Sequence, residues 1–170
     1  MPIAGKAQAG KDTSAIIIKE LLEKKGYRVC IVHYGDYLKY ICKEYLGWNG
    51  EKDEAGRSFI QYEGTEYVRA RDFDFWTNVV YNFVKIYKDR FDYFLIPDTR
   101  FPNEIDVFKN NNFDTFTLKI IRKNYKNSLT DEQNNHMSET ALDDYKFDKV
   151  IEAESGVDNL KAEIMRWFDE

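Results

Sequence analysis

With 170 residues, 43% of them apolar and 16% aromatic, the chain has the size and the side chains for one well-filled core, which argues against wholesale disorder. A net charge of −5 and a pI near 5.2 argue against a protein whose main task is gripping a nucleic-acid backbone. They leave room for a small anionic ligand in a local positive pocket.

The predicted elements follow in chain order. A glycine-containing stretch, GKAQAGKDT at 5–13, runs into a helix over 13–25 with a broad apolar face (Ala15, Ile16, Ile17, Ile18, Leu21, Leu22), closed by Gly26. Residues 28–34, RVCIVHY, read as a buried strand, and 37–46 as a helix ending at Gly47. A polar stretch, NGEKDEAG, then leads to one helix over 57–69. A second helix carries Trp76, Val79, Val80, Phe83, Val84 and Tyr87 at helical spacing. DYFLIPD at 92–98 is a short apolar strand ending in a carboxylate, and 102–109 a short helix. TFTLKII at 115–121 alternates like a less buried strand. The polar, aperiodic run RKNYKNSLTDEQNNH reads as a mobile loop. FDKVIEA gives a last strand. Ser155 with Asp158 is a capping-box signal for a final helix whose Val157, Leu160, Ile164 and Phe168 share a face.

Strands alternating with helices predict an α/β fold of three layers, with about five parallel strands covered by helices on both faces. In such sheets ligands bind beyond the carboxyl ends of the strands. Two cysteines, Cys30 and Cys42, make neither a disulfide framework nor a zinc cluster. No apolar run nears the ~20 residues that span a bilayer. The expectation is one soluble, cytoplasmic domain over 1–170 with no membrane or nucleic-acid partner.

The stretch Gly5-Lys6-Ala7-Gln8-Ala9-Gly10-Lys11 fits G-x-x-x-x-G-K. Glycines let successive N–H groups turn toward phosphate oxygens, the helix N-terminus adds partial positive charge, and Lys11 reaches the terminal phosphates. A lysine-bearing turn ahead of a helix is the plainer alternative. Where Ser or Thr usually follows the lysine, this chain has Asp12, with the hydroxyl one later at Thr13. Either could meet a magnesium ion, directly or through water. Only Met1 to Ala4 precede Gly5, and Pro2 cannot donate to a ladder, so the strand feeding the loop should be stubby.

Four segments together carry a resemblance: GKAQAGKDT, GRSFIQYEGTEYVRARDFDFW, IPDTRFPNEID and HMSETALDDYKFDKVIEAESGVDNL. Their order and type resemble the deoxynucleoside monophosphate kinases of bacteriophage type, within the P-loop kinase superfamily. The phosphomevalonate kinases of animals share the GKD loop and are the nearest competitor. The resemblance implies a P-loop kinase fold with a monophosphate-binding helical region at about 35–90 and a lid at about 122–137. It implies transfer of the γ-phosphoryl group of ATP, with Mg2+, to a deoxynucleoside 5′-monophosphate, and it allows for a homodimer.

Mapped onto these residues, the resemblance implies that Gly5, Gly10, Lys11, Asp12, Thr13 and Arg122 face the donor's phosphates. Asp98 would hold a metal-bound water or orient the acceptor, its alternative being a cap for the helix that follows. Arg100 would be the catalytic cation, bridging donor and acceptor oxygens as charge spreads. Arg57 and Arg69 would take the acceptor phosphate, with Gln61, Gly64 and Thr65 beside its base or sugar and Asp36 and Lys39 along the same cleft. Each arginine alone reads equally as a solvated surface charge, and Trp76 as core packing. Arg122, Lys123 and Lys126 could close a lid over the phosphates and exclude water, or belong to a solvated loop. Two other functions fit the residues less fully: a P-loop kinase of another small metabolite, and a nucleotide-binding switch without catalysis.

Overall fold

The computed structural model describes residues 1–169. In chain order the elements are β1 (Ile3–Ala4), α1 (Lys11–Lys24), β2 (Val29–Ile31), α2 (Gly35–Tyr45), α3 (Glu54–Gln61), a π-helical stretch (Tyr62–Arg69), α4 (Phe75–Tyr87), β3 (Tyr93–Leu95), α5 (Asn103–Asn110), β4 (Leu118–Arg122), α6 (Asp131–Asn135), α7 (Met137–Thr140), β5 (Lys149–Ala153) and α8 (Val157–Asp169).

All strand pairings are parallel, but the strands do not form the single five-stranded sheet expected from the pattern. They divide into a three-stranded sheet ordered β1-β4-β5 and a two-stranded sheet β2-β3. The seam runs beside β1 and carries one isolated bridge, Pro2 to Ile96. Ile3 N donates to Ile96 O at 2.8 Å and Ile96 N to Met1 O at 3.0 Å. β1 is only two residues long, so continuous pairing stops there; Pro2 itself faces β4, its carbonyl accepting from Leu118 N at 3.0 Å.

One core packs α1 and α8 against the three-stranded sheet through Ile3, Ile17, Ile18, Leu118, Ile120, Leu160 and Ile164. β4 is more buried than its alternation suggests. It lies between β1 and β5, so Leu118 and Ile120 are fully enclosed. A second core gathers Tyr34, Trp76, Val80, Val84, Ile96 and Phe108. Trp76 is buried there, its indole N–H donating to Gly64 O at 2.9 Å. Of the two thiols, Cys42 is buried and Cys30 half-buried, and both are free.

Two stretches near the site depart from the sequence reading. The helix expected over 57–69 starts earlier, at Glu54, where the Asp53 carboxylate accepts from Gly56 N at 2.8 Å. It then widens into the π-helical stretch, within which Gly64 lets Leu38 of α2 approach closely: a Cβ there would lie 2.8 Å from the Leu38 methyl carbon. The polar run at 122–136 is not all loop. Thr130 and Gln133 form a reciprocal capping box that starts α6, and Gln133 is buried. A helix of five residues is too short to show as a hydrophobic period.

Candidate functional site

The glycine loop between β1 and α1 has the backbone its sequence implies. Gly5 sits at φ 150°, and a Cβ there would overlap the Ile120 carbonyl oxygen of β4, so only glycine fits. Gly10, at φ 98°, turns the chain into α1. Lys11 is the first residue of that helix and is 6% exposed. Its ammonium donates to Gly5 O at 2.8 Å and Lys6 O at 2.9 Å, lying along the loop it follows. Burial, reinforced by the Arg100 cation, pushes its pKa down to about 7.

The loop separates two hollows. On one side, a cavity of about 330 Å3 lies between the loop, Arg122 and the β5–α8 connection. Lys11, Asp12 and Thr13 line it, as do Glu154, Gly156 and Val157, which the sequence reading missed. Arg122 spans its mouth: Nε donates to Ser155 Oγ at 3.0 Å, Nη1 to Gln8 O at 3.3 Å, and the guanidinium stacks 3.6 Å from the Tyr125 ring centre. On the other side, a cleft of about 630 Å3 reaches from Lys11 and Asp12 past Asp98 and Arg100 to the helices of the middle of the chain. Asp36, Lys39, Arg57, Gln61, Gly64, Thr65 and Arg69 all line this second hollow, so the residues named for an acceptor come together.

Asp98 and Arg100 line the larger cleft, near enough to Lys11 for their charges to act on it. Asp98 follows β3, and its two carboxylate oxygens accept from Tyr34 N at 2.9 Å and Gly35 N at 2.8 Å. It therefore braces the start of α2, which lies far from it in sequence, rather than α5, which follows it. Arg100 Nη1 donates to Glu139 Oε1 at 2.5 Å, and its main-chain N–H to Glu104 Oε2 at 2.6 Å.

The cations of this cleft differ sharply in their surroundings. Arg57 is half-buried, its Nε donating to Lys52 O at 2.8 Å. Lys39 pairs with Asp36 at 3.1 Å. Arg69, by contrast, is 7% exposed and forms part of the cleft's floor. Its Nη1 donates to Phe73 O at 3.0 Å, its Nη2 pairs with Glu104, and its guanidinium lies 4.0 Å from the Phe101 ring centre. Burial pushes the Glu104 carboxyl up to about 7 against the opposing pull of the Arg69 cation.

His33, absent from the sequence-based set, links the two sides. Its Nε2 lies 3.0 Å from Asp12 Oδ1 and its Nδ1 3.3 Å from Asp36 Oδ2. The hydrogen bond with Asp12 raises the histidine's pKa and lowers the carboxylate's. Among the described residues no three His, Cys, Asp or Glu side chains converge into a metal cage. Asp12 and Thr13 supply hard oxygens beside Lys11, the donor type that suits Mg2+ when phosphates and water provide the remaining ligands.

Among the described residues no helix is long and apolar enough to cross a membrane. The fold is similar to that of the APS kinase CysC of Mycobacterium tuberculosis, solved as a Cys556Ala mutant. The TM-score is 0.51 at 14% identity, over 99% of this chain and 94% of that one. That likeness shows a shared α/β fold. No curated protein matches the chain in sequence. Residues 31–164 match the deoxynucleotide monophosphate kinase family, a span well over half the chain that includes Asp98, Arg100 and the cleft's lining from His33 onward, and begins after the glycine loop. The chain belongs to the deoxynucleotide monophosphate kinase family.

Proposed function

We propose that this nucleotide kinase transfers the γ-phosphoryl group of ATP to a deoxynucleoside 5′-monophosphate, releasing ADP and the deoxynucleoside diphosphate. The observation that carries the reading is the pair of hollows, which share Gln8, Lys11 and Asp12 of the loop and are otherwise lined by different parts of the chain. Such a shape suits two ligands joined at their phosphates.

In this reading the 330 Å3 cavity takes the donor nucleoside, with Arg122 at its mouth. The loop amides and Lys11 hold the donor's phosphates. A phosphate drawing near favours the charged form of Lys11, so binding restores the proton that burial disfavours. The acceptor lies in the larger cleft. Arg57 and Lys39 hold its phosphate, Gln61 and Thr65 meet its base or sugar, and Arg69 supports the floor beneath. Phosphoryl transfer asks mainly for alignment and charge stabilisation. Arg100, in the cleft near Lys11, neutralises charge on the equatorial oxygens as the bond to the leaving oxygen lengthens. Asp98 fixes the start of α2 and with it Asp36 and Lys39. Asp12 and Thr13 would hold Mg2+, which when bound neutralises the outer phosphate oxygens.

The test is ADP release from ATP and Mg2+ over all common deoxynucleoside monophosphates, with their ribose counterparts and phosphomevalonate in the same panel. ADP formation should depend on a deoxynucleoside monophosphate, and Lys11→Ala should lower it about 10³-fold. Turnover with phosphomevalonate alone, or full activity in Lys11→Ala, would overturn the reading. So would tight ATP binding with no turnover of any acceptor.

A further inference from the structure

Glu139 has no part in the mechanism above, yet its side chain is 4% exposed and touches both halves of the machinery. Oε1 accepts from Arg100 Nη1 at 2.5 Å, and Oε2 accepts from the main-chain N–H of Ala7, inside the phosphate loop, at 2.9 Å. A buried carboxylate persists only when its charge is matched and its oxygens are bonded. Here the matching groups are the cation and the loop that the proposed reaction needs.

The surrounding contacts give this carboxylate a fixed address. Lys6 Nζ donates to Glu139 O at 2.7 Å and pairs with Asp143 at 2.6 Å, anchoring α7 to the loop. Upstream, Gln133 Nε2 donates to Glu54 O at 3.1 Å and to Ser58 Oγ at 3.0 Å, and His136 Nε2 lies 2.6 Å from Glu66 Oε1. The segment carrying Glu139 is thus registered against both the donor loop and the acceptor helices. Arg100 is held at both ends, its main chain by Glu104 and its guanidinium by Glu139.

We infer that Glu139 is a positioning residue that holds the Arg100 guanidinium against the phosphate loop, in place for the transferring phosphoryl group. The inference rests on the kinase reading. An arginine side chain left to itself samples many rotamers, and ordering it at the moment of reaction raises the barrier. A guanidinium already bonded to a fixed carboxylate avoids that loss while keeping its remaining N–H groups for phosphate oxygens. The opposite reading of the same contacts is a plug, a carboxylate seated on the loop amide that has to leave before phosphate enters.

Glu139→Gln separates the two, because it keeps the shape and removes the charge. Positioning requires kcat to fall about 10- to 100-fold while KM for ATP and for the monophosphate stays within about threefold, with an unchanged melting temperature. In an Arg100→Met background the same change should cost less than about threefold, since its effect passes through Arg100. Glu139→Asp, which keeps the charge one methylene short, should lose less kcat than Glu139→Gln. An unchanged kcat in folded Glu139→Gln, additive losses with Arg100→Met, or a greater loss in Glu139→Asp would each overturn the inference. Tighter ATP binding with undiminished turnover would also overturn it and identify a plug. Wild-type enzyme measured alongside keeps the levels apart. If it makes no ADP with any monophosphate, the kinase reading falls and the inference with it. If it turns over normally and Glu139→Gln matches it, the inference alone falls.

Discussion

The two hollows are built by opposite means. The side proposed for the donor is mostly main chain: a glycine that admits no Cβ at position 5, a second glycine that turns into α1, and one lysine returned along the loop carbonyls. The side proposed for the acceptor is mostly side chain, drawn from α2, α3 and the π-helical stretch and held over a floor of Arg69 and Glu104. A site made of backbone tolerates little change at its turns but places its donors without ordering long side chains. One made of long side chains can be retuned residue by residue. In such an arrangement the contacts facing ligand have to be told apart from those supporting them.

That separation is the first place to break the comparison. Arg69 and Arg57 line the same cleft, but only Arg69 is buried against a carboxylate. Arg69→Ala should remove about 3–5 kcal/mol of folding stability, because Glu104 is left buried without its partner; urea denaturation measures this. Arg57→Ala should leave the denaturation midpoint within experimental scatter. It should instead raise KM for the monophosphate about tenfold, the loss of one charge-assisted contact. If Arg57→Ala unfolded the protein and Arg69→Ala altered only KM, the division between floor and ligand-facing cations would be reversed.

The donor side has a signature in pH. Lys11 has a folded pKa of about 7 against an ordinary 10.5. Between these values the unfolded chain binds the proton and the folded one does not. The Lys11 contribution therefore makes stability rise as pH increases from about 7 toward 10.5, and Lys11→Met should remove that slope. Calorimetry of ATP binding at pH 8, in buffers of different ionisation heat, should show uptake approaching one proton, absent in Lys11→Met. An arginine stays charged throughout this range, so monophosphate binding should show no matching uptake from Arg57.

The smallest effect belongs to the contact between the two sides. His136 and Glu66 join the α6–α7 connection to the π-helical stretch at 2.6 Å, with the glutamate half exposed. His136→Gln should cost no more than about 1 kcal/mol and change KM for the monophosphate less than about threefold. A larger effect would mean that this contact, and not Gln133, carries the docking of the segment.

The same difference explains what could be read from the chain. Loop residues 5–13 are consecutive, and their chemistry depends on backbone freedom, which residue type reveals directly. The strand and helix order was legible for the same reason, apart from α6 and α7, which are too short to carry a period of their own. The break in the sheet was harder to see, because it depends on how a two-residue strand beginning after Pro2 meets Ile96 across the molecule. Arg69 shows the other limit. Its charge and position suggested a ligand contact, and only folding brings Glu104 and Phe101 around it. Glu139 lay in plain view within HMSET, but nothing local says that its partners are Ala7 and Arg100.

The central claim is that the phosphates of two ligands meet at Lys11 and Arg100. It is tested most directly by calorimetry with a bisubstrate analogue, adenosine joined to a deoxynucleoside through a chain of phosphates. The analogue should bind at least about 10²-fold more tightly than ATP, as a ligand spanning both hollows would, and lose about tenfold of that advantage in Arg57→Ala. Binding no tighter than ATP, with Arg57→Ala making no difference, would contradict it.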